Sequence, residues 1–202
     1  MEHCMVDTET VGIHPGFAIL SIGAVMFDLE KQELGEEFYM AIEPESNRRF
    51  GLKFDPNTET WWSEQTEDAR AAAWSGTEYL DEVLSKFSVW SREQAKLDQF
   101  YFWSNGANFD DPMLTAAYTA TGLTKPWKFQ NSRCFRTLKA LSPTVFVKSE
   151  GVQHNALVDA RWQAKGALLM YAGLKEKYAA LAVKATKGQR ELAKKFDLTS
   201  RK

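Results

Sequence analysis

Cys4-Met5-Val6-Asp7-Thr8-Glu9-Thr10 is the stretch that decides the fold of this chain. It has the pattern of a short apolar strand ending in two acids one residue apart. Residues i and i+2 of a strand face the same way, so Asp7 and Glu9 project together. Adjacent carboxylates repel, and a cation between them removes that cost. The pattern therefore points to a divalent-cation site at the end of a first strand. Spacing alone is weak support. With 27 acids in 202 residues, acid-x-acid is expected about 3–4 times by chance. Asp28-Leu29-Glu30 and Glu43-Pro44-Glu45 share the spacing, but they fall in a hairpin turn and beyond a strand end, as solvated turn acids do.

Outward from this strand, Val11 to Gly16 is a turn-rich loop, Ala18 to Phe27 a largely apolar second strand, and Glu37 to Ile42 a third. Short connections between them favour an antiparallel meander. Asp55 and Pro56 start a helix, as N-cap and first helical residue. Trp61 and Trp62 follow, then a short helix over Glu64–Trp74. Thr77 to Trp90 is amphipathic, with Leu80, Val83, Leu84 and Phe87 on one face. Phe100 to Trp103 is a fourth, buried strand, and Asn105 to Asn108 its turn. A helix over Asp110–Thr121 ends at Gly122, another spans about Ser132 to Leu141, and Pro143 to Gly151 is a loop. His154 opens a helix that runs to about Tyr171. Residues 1–172 read as one domain and 173–202 as a helical, Lys-rich extension interrupted at Gly188. From Lys184 to Lys202 seven Lys or Arg face two acids, which suits a solvated helix face or a surface touching nucleic-acid backbone.

The apolar fraction of 44% and the abundance of aromatic residues specify a folded globular protein with a sizeable core. No apolar run approaches the roughly 20 residues that span a membrane. The acidic N-terminus enters a strand at once, unlike a signal peptide. Cys4 and Cys134 lack metal-binding spacing and are expected as free thiols in a cytoplasmic setting. A net charge of −2 argues against a protein that coats nucleic acid through a broad basic surface, but not against an enzyme gripping one strand end.

Two later motifs matter. Asn108-Phe109-Asp110 lies where the fourth strand turns into a helix, a place where ligand groups collect in α/β sheets. Taken alone, Asp110 reads first as a helix N-cap. His154-Asn155-Ala156-Leu157-Val158-Asp159 is more telling, since His-x4-Asp is expected only about 0.15 times by chance. Asp159 sits among Ala156, Leu157, Val158 and Ala160, an awkward place for a carboxylate without a partner. Pairing with Arg161 or Arg133 is the structural alternative.

The order of these residues resembles the DEDD exonuclease superfamily in its His-containing branch (DEDDh). The wording is similar to phage and bacterial 3′–5′ exonucleases related to the mycobacterial exoribonuclease-like domain. The stretches that carry the likeness are residues 6–10, 20–25, Trp61-Trp62, 105–110, Arg136-Thr137 and 154–160, within about residues 4–172. The resemblance implies an α/β, ribonuclease H-like fold: a mixed five-stranded sheet, its first three strands antiparallel and the rest parallel, flanked by helices. It implies a metal-dependent 3′–5′ exonuclease that releases nucleoside 5′-monophosphates from the 3′ end of single-stranded RNA or DNA. Two divalent cations, Mg²⁺ or Mn²⁺, would be held by Asp7, Glu9, Asp110 and Asp159, with Asp7 bridging and His154 as general base. Thr10, Val11 and Gly12 are expected to contact the terminal nucleotide, with Asn105 and Asn108 also on the substrate side. Phe17 and Trp62 are candidates to stack on bases, with core packing as their alternative, and Trp61 is expected to point into the core. The resemblance also admits a homodimer. Two other functions fit the same fold: a non-catalytic nucleic-acid-binding protein, which should have lost a metal ligand, and a phosphodiesterase of short oligonucleotides.

Overall fold

The computed structural model describes residues 1–142 and 154–184. The expected loop over 143–151 and the tail with its break at Gly188 lie outside the described residues. Strands β1 (His3–Thr10), β2 (Ile19–Asp28) and β3 (Glu33–Ala41) form an antiparallel meander. β4 (Tyr101–Ser104) pairs parallel to β1, and β5 (Ser132–Cys134) parallel to β4. The sheet order is β3-β2-β1-β4-β5, the mixed five-stranded arrangement expected. Helices are α1 (Ser46–Arg49), α2 (Pro56–Ser63), α3 (Glu67–Trp74), α4 (Leu80–Gln94), α5 (Asp110–Thr121), α6 (Phe135–Leu141) and α7 (Ala156–Lys184).

Several boundaries differ from the sequence pattern: β3 begins at Glu33 rather than Glu37, and α4 runs from Leu80 to Gln94 rather than from Thr77 to Trp90. Ser132 to Cys134 form β5 rather than the start of a helix; three half-buried residues carry no period, and the open edge of β4 decides their pairing. α3 begins at Glu67 because Thr66 caps it, its hydroxyl accepting from Ala69 N at 3.3 Å. α7 begins at Ala156, since Asn155 accepts from the amides of Leu157 and Val158 as a cap, and it continues past Tyr171 to Lys184.

Alternation along β1 places the site. Cys4 and Val6 pack with Leu80, Val83, Leu84 and Phe87 of α4 and Leu114 of α5. Met5 packs on the opposite face with Ala160, Ala164, Ala167 and Leu168 of α7. By the same two-residue period, Asp7 and Glu9 face α7 while Thr8 faces α5. Gly23, paired with Asp7 across the meander, permits the approach of α7. A Cβ there would lie 2.1 Å from the backbone carbon of Ala156, so only glycine lets the first turn of α7 lie directly on the sheet.

Candidate active site

β1 outruns β4: their parallel pairing ends at Met5↔Trp103. The acidic end of β1 is therefore uncovered on that side, and the loop after β4 opens beside it. Asp7, Glu9 and Asp159 each present an oxygen, and these oxygens all lie within 4.8 Å of one another. Asp110, 2% exposed, stands at the start of α5 without capping it. Its Oδ1 instead accepts from Thr8 N at 3.1 Å and Thr8 Oγ1 at 2.8 Å, which ties α5 to β1 between the two strand acids. Its neighbour Asp111 anchors the same helix start, accepting from Lys125, Trp127, Thr115 and Ser132.

In each of the other two acid pairs the first acid caps a turn and the second pairs with a cation, Glu30 with Lys175 and Glu45 with Arg48. Asp28 accepts from the amides of Glu30 and Lys31, and Glu43 from those of Glu45 and Ser46. The two arginines considered for Asp159 have other partners: Arg161 pairs with Glu37, and Arg133 bonds the carbonyls of Gln130 and Ser132.

Burial, joined for Asp7 and Glu9 by repulsion from the other carboxylates, pushes the four acids toward their protonated forms. Asp7 is raised by burial, then by Asp110, Glu9 and Asp159, against a hydrogen bond from Gln163. Glu9 is pushed up to about 8 by burial and then by Asp159 and Asp110. Asp110 is pushed up to about 7 by burial, opposed by the Thr8 bonds and the Arg136 charge. Asp159 is raised by burial and eased by His154, whose backbone also bonds it. Carboxylates raised in this way and gathered this closely are candidates to hold a cation.

Two clefts adjoin at Thr8, Glu9, Ile13 and Phe109. The first, about 630 Å³, holds Asp7, Asp110, Asp159 and His154, with Asn105, Asn108 and Arg136 along one wall. The second, about 500 Å³, is lined by Thr10, Gly12, Asn57, Trp61 and Trp62. His154 has φ +59°, a left-handed conformation rare outside glycine. Its ring meets those of Trp61 and Trp62 edge-on, with centroids 4.9 and 6.2 Å away.

The tryptophans exchange their expected places. Trp62 is 2% exposed, and its Nε1 donates to Thr10 O at 2.9 Å, whereas Trp61 is 40% exposed. The Nε1–Thr10 bond fixes which ring turns inward. Val11 is buried in the core, its amide donating to Ala18 O and its carbonyl accepting from Asp55 N, so both backbone groups are already engaged. Phe17 lies against Gly12, where a Cβ would stand 2.2 Å from its ring, and it lines neither cleft. Sequence patterns missed Thr8 and Gln163. Thr8 lies between the two acids, and Gln163 stands one helical turn beyond Asp159, the only signal either carried.

No curated protein matches the sequence. Solved structures do resemble the fold. The nuclease domain of 3′hExo, a DEDDh family member bound to rAMP, has a TM-score of 0.58 at 16% identity, covering 85% of this chain and 92% of that one. Exonuclease X, in complex with 5′-overhanging duplex DNA, has a TM-score of 0.53 at 15% identity and the same coverages. The zinc-bound E. coli ExoI–ssDNA complex has a TM-score of 0.60 at 14% identity, covering 90% of this chain and 42% of ExoI. These likenesses establish the ribonuclease H-like architecture of the exonucleases. The sequence itself matches the family described as the 3′–5′ exoribonuclease Rv2179c-like domain over residues 2–170. The chain therefore belongs to the Rv2179c-like 3′–5′ exoribonuclease domain family and is a 3′–5′ exonuclease.

Proposed function

We propose that the protein removes nucleotides one at a time from the 3′ end of single-stranded nucleic acid, releasing nucleoside 5′-monophosphates. The observation that carries this is the convergence of the Asp7, Glu9 and Asp159 oxygens within 4.8 Å, with Asp110 tethered beside them through Thr8. An all-carboxylate donor set suits hard cations, Mg²⁺ or Mn²⁺. Asp7, Glu9, Asp110 and Asp159 would hold two such ions. When bound, divalent cations supply acidification of the attacking water and neutralisation of phosphate charge.

The chain's own residues do the rest. The second cleft takes the terminal nucleotide, with Thr10 and Gly12 in its lining and Trp61 as a stacking face worth about 1–3 kcal/mol per base. Asn105 and Asn108 line the path of the strand. His154 accepts the proton of the attacking water, a role typically worth about 10²–10⁴-fold. The water oxygen bonds to phosphorus, the P–O3′ bond breaks, and the electron pair leaves on the 3′ oxygen of the shortened strand, which takes a proton from solvent to become the 3′-hydroxyl. The phosphate departs on the 5′ carbon of the released nucleotide.

A second observation favours short substrates. Among the described residues, Arg136 is the one Arg or Lys lining the carboxylate cleft, so a long strand finds little electrostatic hold there. Digestion of matched 3′- and 5′-labelled RNA and DNA, over a length series with Mg²⁺, Mn²⁺ or chelator, tests these points together. RNA comes first, given the exoribonuclease description of the family. Label released first from the 3′ end, only with metal, supports the assignment; internal cuts or release from the 5′ end reject it.

A further inference from the structure

Arg136 is exposed in the first turn of α6, on the wall of the cleft that holds Asp110. Its Nη2 donates to the Asn105 carbonyl at 3.1 Å. That bond steadies the guanidinium and leaves most of its five N–H donors to other acceptors. The ion pairs among the described residues do not include it. Gly106 shapes this corner. Its φ is +116°, and a Cβ there would lie 3.1 Å from Asn108 Oδ1 and 3.5 Å from Arg136 Cζ. The loop after β4 thus closes on Arg136 with little room for another side chain, and holds a cation beside an acidic cleft.

Position gives the cation its direction along a substrate. Arg136, Asn105 and Asn108 line only the first cleft, while Thr10, Gly12 and Trp61 line only the second. A strand with its last nucleotide in the second cleft and its scissile phosphate at the carboxylates leaves the enzyme along the Arg136 wall. We infer that Arg136 binds the phosphodiester one linkage upstream of the scissile one, that is, the second linkage from the 3′ end. The planar guanidinium fork matches two phosphate oxygens, which the carboxylate-rich remainder of the cleft repels. This assignment rests on the exonuclease function proposed above.

The test uses the full chain, Mg²⁺, and 5′-labelled RNA oligomers carrying one uncharged methylphosphonate linkage at a chosen position. For the wild type, a neutral second linkage lowers kcat/KM by about 10–100-fold, the range of one charge-assisted contact, and a neutral fourth linkage has little effect. Arg136→Gln shows a comparable loss on the all-phosphate oligomer, and the neutral second linkage then costs it less than about twofold more. Arg136→Lys, which keeps the charge without the fork, falls between. The dependence of log(kcat/KM) on log salt is shallower for Arg136→Gln by about 0.7, the increment for one phosphate contact on a single strand. Arg136→Gln acting at the wild-type rate overturns the assignment, and so does an undiminished methylphosphonate penalty in that variant. A wild-type chain that leaves every all-phosphate oligomer intact overturns the exonuclease function, and this inference with it. The wild-type arm needs no substitution, so loss of folding in a variant cannot mimic its result.

Discussion

Gln163 Nε2 donates to Asp7 Oδ1 at 2.7 Å, joining residues 156 positions apart. The amide is 2% exposed and stands one turn beyond Asp159, so it ties the strand acid to the helix that supplies another carboxylate. Its Oε1 is buried without a partner among the described residues, an arrangement that costs about 1–3 kcal/mol. Gln163→Leu therefore weakens Mn²⁺ binding, measured by titration calorimetry, by about 10–100-fold, while the melting temperature of the metal-free protein holds or rises. Unchanged Mn²⁺ affinity would show that the amide does not orient Asp7.

The carboxylate cluster also predicts an unusual pH profile for the metal-free protein. Glu9 and Asp110 are pushed up to about 8 and about 7, and Asp7 and Asp159 are raised as well. Between the ordinary carboxylate range and about pH 8, the folded state holds more protons than the unfolded one. Stability therefore falls as pH rises through that window. Melting temperatures in chelator should drop from pH 5 to pH 8.5, and Mg²⁺ should raise them most at the alkaline end. A chelated protein that melts higher at pH 8.5 than at pH 5 would contradict the repulsion inferred here.

The two tryptophans should separate cleanly. Trp61→Ala raises KM for single strands by about tenfold, within the stacking range, and leaves the melt unchanged. Trp62→Ala removes a buried ring and the donor to Thr10 O, costing about 3–5 kcal/mol of stability. Steady-state kinetics alongside thermal melts distinguish the two. A KM effect confined to Trp62→Ala would restore it as the stacking residue.

Much of this was readable in the residues because two periods coincide with function. The two-residue period of β1 put Asp7 and Glu9 on one face, and the Asp110 and His-x4-Asp motifs sat at an element start where the chain turns over the sheet. The antiparallel start was visible in apolar runs joined by short turns. β5 was not, since Ser132-Arg133-Cys134 carries no pattern and is a strand only because β4 offers it an edge. The tryptophan pair failed for a similar reason: adjacent identical residues differ only in which one reaches the Thr10 carbonyl 52 positions away. Gln163 and Thr8 were invisible because their roles exist only as hydrogen bonds to residues more than a hundred positions distant.

The central claim is that the carboxylates gathered around Asp7 make a cation-dependent nuclease centre. Asp7→Asn keeps the shape of the side chain and removes its charge, and it relieves repulsion, so the metal-free variant should melt higher than the wild type at pH 8. The decisive measurement is release of nucleoside 5′-monophosphate from a 3′-labelled single strand in Mg²⁺, wild type against Asp7→Asn. The predicted result is metal-dependent release by the wild type and a loss of about 10³-fold or more in the variant, equivalent to roughly 4 kcal/mol of barrier. Release by Asp7→Asn at the wild-type rate would contradict it.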